Sequence, residues 1–172
     1  VDVASGGNTN STTISAGGMM LVLSSGTATS TRVYGSGYLW IGSGGLAIST
    51  TVNYYGSMFV AGTVRATTVS GYLTVSNGGW AGSTTVNNGT VIVSSGGRIA
   101  DTTINSLGNV YIYNGGSAAN TTLNYLGGMV VSSGGKVRDT TIFNNGAIFV
   151  SSGGSANYTV VSSGGKLETY KG

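Results

Sequence analysis

The sequence predicts an all-β fold: a single-stranded parallel β-helix (β-solenoid) of about nine coils. Three observations carry that expectation. They are a repeat of 17–19 residues, a pair of apolar residues two apart in each unit, and glycine-rich turns in a chain without proline.

A threonine followed two residues later by an aliphatic residue marks the repeat. The threonines are Thr12, Thr31, Thr50, Thr67, Thr84, Thr102, Thr121, Thr140 and Thr159, at intervals of 19, 19, 17, 17, 18, 19, 19 and 19. Their partners are Ile14, Val33, Val52, Val69, Val86, Ile104, Leu123, Ile142 and Val161, all aliphatic. Self-similarity at a near-fixed period is the signature of a stacked-repeat architecture.

Each unit carries a second apolar pair, as at Met20/Val22, Leu39/Ile41, Val91/Val93 and Met129/Val131. A separation of two puts both members on one face of a strand. A turn follows, often Ser-Ser-Gly-Gly, as at Ser94 to Gly97 and Ser132 to Gly135. Another inward residue comes next, such as Ala28, Ile99 or Val137. Glycine at the corners allows positive φ. Proline would delete an N–H that the next coil needs. Apolar spacing near 3.6 is missing, and β-branched residues and glycine both disfavour helix.

One such unit cannot bury its apolar face alone. Stacking identical coils buries a continuous column and pairs every strand above and below. Nine coils at roughly 4.8 Å each make a rod of about 43 Å. The inward threonines are expected to form a hydroxyl ladder, bonded to one another or to backbone carbonyls. The short stretch from Ser57 to Gly71 reads as a trimmed corner, not a domain boundary. Both ends, Val1 and Gly172, fall mid-repeat, so residues 1–172 are expected to be one segment of a longer array.

Composition narrows the function. Glycine makes up 32 of 172 residues without recurring at every third, which excludes collagen. Hydrophobic residues are 40% and regularly spaced, which disfavours disorder. Lys and Arg number 7 against 4 Asp and Glu, a net charge of +3 spread along the chain. No basic run follows a phosphate backbone, so nucleic acid is not an expected partner. No apolar stretch approaches the roughly 18 residues of a membrane span, so insertion of this segment into a bilayer is not expected.

Catalytic chemistry finds few residues. Histidine and cysteine are absent, which removes the usual general base, the thiol nucleophile and most zinc ligation. The carboxylates are Asp2, Asp101, Asp139 and Glu168. Asp101 and Asp139 share a register two coils apart, roughly 9–10 Å by the stacking repeat. That gap suits neither a retaining carboxylate pair nor a single calcium ion, though it brushes the wide end of the inverting range. Gly35-Ser36-Gly37 opens no helix and so makes no phosphate loop. No catalytic residue, metal or cofactor is expected.

Two outward rows remain. One lies between the members of the apolar pairs: Asp2, Leu21, Trp40, Phe59, Thr74, Ile92, Tyr111, Val130, Phe149 and Glu168. Alternation predicts that these side chains are exposed. The apolar members (Leu21, Trp40, Phe59, Ile92, Tyr111, Val130 and Phe149) form a candidate contact stripe, although strand propensity alone favours such residues. The other row flanks the inward threonines and is rich in hydroxyls, including Ser49, Thr51, Ser83, Thr85, Thr103, Thr122 and Thr141. Such a row is expected to form a flat hydroxyl surface, which could order water as ice-binding solenoids do, accept glycans, or simply be solvated. Arg32, Asp101, Asp139 and Tyr158 interrupt the lattice, which argues against ice.

The units Val93-Ser-Ser-Gly-Gly-Arg-Ile-Ala-Asp-Thr-Thr-Ile104 and Val131-Ser-Ser-Gly-Gly-Lys-Val-Arg-Asp-Thr-Thr-Ile142 resemble the repeat of AIDA-type autotransporter adhesins. The resemblance covers essentially the whole chain. It implies a passenger segment at the surface of a Gram-negative bacterium, or secreted from it, folded as a right-handed parallel β-helix. It implies roles in adhesion, autoaggregation and biofilm formation. It also implies O-linked heptose on Ser or Thr, added by a heptosyltransferase. Candidate acceptors are the row residues Ser49, Thr51, Ser83, Thr85, Thr103, Thr122 and Thr141, with the turn serines Ser94, Ser132 and Ser151. Expected partners are a second copy, a host-cell receptor or glycan, and the heptosyltransferase. A glycan-acting β-helix enzyme is the alternative reading, and a cleft of clustered acids and bases would distinguish it.

Overall fold

The computed structural model describes residues 1–170, so Gly172 lies outside the described residues. It is built from strands, with no helix among the described residues. All strand pairs are parallel. Each joins one coil to the next, as in Leu39↔Met58↔Leu73↔Val91. The first sheet has ten strands, running from Asp2–Val3 to Lys166–Thr169. The second has twelve, because its early coils are split into short pieces such as Thr27–Thr29 and Arg32–Val33. From Thr63–Val69 onward each coil contributes one continuous strand to it.

The core is the column the repeat predicts. Val22, Val33, Ile41, Val52, Val60, Val69 and Val86 are fully buried, and so are Ile104, Leu123 and Ile142. Each contributes on the order of 1.5–3 kcal/mol, which is how a chain without disulfides holds together.

A second feature shapes every coil. The residue before each repeat threonine is left-handed: Ser11, Ser30, Ser49, Ala66, Ser83, Asp101, Asn120, Asp139 and Tyr158 have φ between 51° and 56°. Strict alternation breaks there. Val64 points in, Arg65 and Ala66 both point out, and Thr67 points in again. The second sheet therefore folds at a corner, and the hydroxyl row is not flat. Its first members sit on the bend and its second members lie beyond it. Asn and Asp tolerate this conformation, which suits their use at Asp101, Asn120 and Asp139.

The trimmed coil is as expected, and it is cut at both turns. The Ile41 carbonyl accepts from Ala61 at 2.8 Å and Gly62 at 3.1 Å. The Val52 carbonyl accepts from Ser70 at 2.7 Å and Gly71 at 3.1 Å. Two donors share one acceptor, so a shorter turn closes without an orphaned N–H.

The threonine ladder departs from expectation. Thr31, Thr50, Thr67, Thr84, Thr102, Thr121 and Thr140 are buried, while Thr12 and Thr159 are only half-buried. The hydroxyls of Thr31, Thr50, Thr67, Thr84 and Thr121 nevertheless have no partner. Thr102 and Thr140 reach only long contacts, 3.4 Å to the Ala100 carbonyl and 3.5 Å to the Arg138 carbonyl. In-register copies of one side chain sit a strand spacing apart, about 4.8 Å, which is too far for hydroxyl to meet hydroxyl. Thr84→Val should therefore raise stability, by about 1 kcal/mol, since it removes an unpaired buried hydroxyl at nearly constant shape. Urea denaturation of the two proteins checks this, and a clear loss would mean the hydroxyl is bonded.

The ladder that does form is made of asparagine, and the repeat analysis missed it. Asn105 Nδ2 donates to Asn87 Oδ1 at 3.2 Å, and Asn124 Nδ2 donates to Asn105 Oδ1 at 3.1 Å. The amide spans the strand spacing because it carries a donor and an acceptor at different ends.

Candidate functional site

The surface carries four features that the coil geometry positions. The first is the outward row of the ten-stranded sheet. Leu21, Trp40, Phe59, Thr74, Ile92, Tyr111, Val130 and Phe149 stack in register, one per coil. All are half-buried, as is Glu168 in the same row, whereas alternation predicted exposure, which Asp2 in the first coil does show. Large side chains one strand spacing apart cover one another, and Trp40 Nε1 is left buried without a partner.

The second feature is an edge. Exposed aromatic and aliphatic side chains gather at the turns that follow the Val33-type residues: Tyr34, Tyr54, Tyr55, Tyr125, Leu126 and Phe143. The Tyr54 and Tyr55 rings lie 4.2 Å apart between centroids. Sequence reasoning passed over this edge because it treated the turns as small polar corners. The signal was the tyrosine or leucine standing where other units have Ser-Gly.

The third feature is the hydroxyl surface. Ser49 and Ser83 are exposed because they sit on the left-handed corner. Thr51, Thr85, Thr103, Thr122 and Thr141 lie past that corner and are half-buried. Among the turn serines, Ser94, Ser132 and Ser151 are half-buried, whereas the next residues, Ser95, Ser133 and Ser152, are exposed. The first serine of each turn packs against the coil and the second occupies the tip.

The fourth feature was not anticipated. The basic residues are scattered in sequence, yet Arg65, Arg98, Lys136 and Arg138 lie on one face of the twelve-stranded sheet. These are four of the chain's seven Lys and Arg. The signal lay in the two most regular units, where Gly-Gly-Arg98 and Gly-Gly-Lys136 share one register and Arg138 follows two residues on. These cations form no run along the chain, but the coils bring residues about 19 or 38 apart onto one face.

The carboxylates build no catalytic pair. Asn120 stands between Asp101 and Asp139 and donates to Asp101 Oδ1 at 3.2 Å, while Asp139 pairs with Arg138. No group of three His, Cys, Asp or Glu residues comes together among the described residues.

No protein-family model and no curated protein matches the chain. A solved structure does match: the crystal structure of a TibC-catalysed, hyper-glycosylated fragment of TibA. It is 33% identical, with a TM-score of 0.68, over 99% of this chain and 84% of that one. The chain belongs to the AIDA-type autotransporter adhesins. As an AIDA-type segment it is an adhesin-like passenger domain, and its stacked coils present the four features above on separate faces and edges.

Proposed function

We propose that this segment is a non-enzymatic passenger, surface-exposed or secreted, that mediates adhesion, autoaggregation or biofilm formation and accepts O-linked heptose on outward Ser and Thr. One observation carries the reading: nearly the whole chain is similar to a fragment that is hyper-glycosylated by TibC catalysis. The exposed aromatic edge at Tyr54, Tyr55, Tyr125 and Leu126 supports the adhesive part, because apolar groups concentrated at one edge favour contact with a second copy or a receptor.

Exposure ranks the glycan acceptors. An enzyme acting on the folded chain reaches Ser49 and Ser83 first, with the tip residues Ser95, Ser133 and Ser152. The half-buried Thr51, Thr85, Thr103, Thr122, Thr141, Ser94, Ser132 and Ser151 follow. The buried Thr67, Thr84 and Thr121 stay bare. Purified folded protein should be treated with a heptosyltransferase and its sugar donor, then peptide-mapped by mass spectrometry. Sugar on the corner and tip serines is the expected result. No addition, or addition chiefly to the buried threonines, would defeat the glycan part. Settling of bacteria that display the segment reads the adhesive part independently.

A further inference from the structure

The cationic face encloses a trough. Its floor is Ala100 and Ala119, stacked in register and too small to fill the space above them. At one end the Trp80 ring lies across Gly82, so that a Cβ there would overlap the ring. Arg65 sits 5.5 Å above that ring. Arg138 closes the other end. One wall is the row Trp80, Arg98, Ser117, Lys136 and Ser155. The opening encloses about 480 Å³, a volume in the range of ligand sites.

We propose that this trough binds an extended acidic polysaccharide bearing a carboxylate on alternate sugars. The proposal rests on the adhesin reading for its biological setting and names the chemical class of one partner. Three facts support it. The wall alternates cation and hydroxyl, Arg98, Ser117, Lys136 and Ser155, with the cations roughly 10 Å apart by two strand spacings. A chain with a charge on every second sugar would meet a cation and then a hydroxyl in turn. Arg98 and Lys136 form no ion pair among the described residues. Arg138 is paired with Asp139, but both side chains are well exposed, at 63% and 40%, and such a pair yields readily to a better anion.

The same features disfavour nucleic acid. One ring cannot stack successive bases. Asp101 and Asp139 on the corner rim repel a polymer charged at every unit.

The test is binding of hyaluronan and unsulfated chondroitin oligosaccharides to the intact chain, measured by calorimetry at low and moderate salt. Neutral dextran and single-stranded DNA serve as comparators. Saturable, salt-weakened binding of the acidic glycans is expected. It should fall about tenfold or more in the double variant Arg98→Ala with Lys136→Ala. Arg32→Ala, which removes an exposed charge outside the trough, should bind as the parent does. Circular dichroism confirms that the variants fold. Absent binding, equal binding of dextran, tighter binding of DNA, or an unaffected double variant would each overturn the site. None of these outcomes touches heptose acceptance or cell settling, so failure here is distinguishable from failure of the adhesin reading.

Discussion

Ile104→Asp should unfold the centre of the solenoid, with a loss on the order of 4 kcal/mol or more. Ile104 is fully buried and pairs in register with Val86 below and Leu123 above. The inward positions around it are aliphatic or threonine, so the carboxylate would find neither cation nor water. Val93→Asp and Val131→Asp should behave alike, since both sites are also fully buried. Thr103→Asp, one residue away and facing outward, should change stability by about 0.5 kcal/mol or less. Position along the rod matters as well. In a solenoid each coil is held only by its neighbours, so a central defect uncouples both sides. Val161 is 46% exposed, and Val161→Asp should be mild. Chemical denaturation followed by circular dichroism measures all five variants. Similar losses for Ile104→Asp and Thr103→Asp would mean the inward and outward assignments are wrong.

The inward assignments were legible because they rest on a period-two rule repeated nine times in one chain. The aliphatic member of every Thr-x-aliphatic marker pairs with its counterpart in the next coil, from Ile14↔Val33 to Ile142↔Val161. What escaped depends on atoms the pattern does not encode. The hydroxyl ladder fails because identical rotamers sit a strand spacing apart. The flat hydroxyl face fails because one residue per coil turns left-handed, a property that Ser, Asn, Asp, Ala66 and even Tyr158 all adopt here. The contact stripe keeps its predicted register yet loses exposure, because large neighbours shield one another. The trough was invisible for a different reason. Its cations are separated by whole repeats, so the order of charges along the chain does not show that the coils bring them together.

The turn glycines show how far sequence alone can be pushed, and they carry the last prediction. Positive φ was the reason first given for them, and for the third turn position it holds: Gly96 has φ +83°. Yet that position accepts other residues, since Ser25, Ser36, Tyr55 and Leu126 occupy it at φ near 60°. The final turn position does not. It is glycine in every coil, including Gly79, Gly97, Gly108, Gly116, Gly127, Gly135 and Gly165, and none of these has positive φ. The constraint there is close approach. A Cβ on Gly127 would lie 2.6 Å from the Ile104 carbonyl oxygen, and one on Gly165 would lie 2.6 Å from that of Ile142. On Gly97 it would overlap the Val75 carbonyl oxygen still more deeply. That oxygen also accepts from the Ser94 N–H at 3.0 Å, so the added methyl must push two coils apart and loosen their bond. Gly97→Ala should cost about 3 kcal/mol or more. Gly96→Ala, where the nearest atom is 3.6 Å away, should cost about 1–2 kcal/mol from backbone conformation alone. Thermal unfolding of the two single variants reads the difference. A Gly96→Ala protein less stable than Gly97→Ala would show that conformation, not close approach, keeps glycine at the end of every turn.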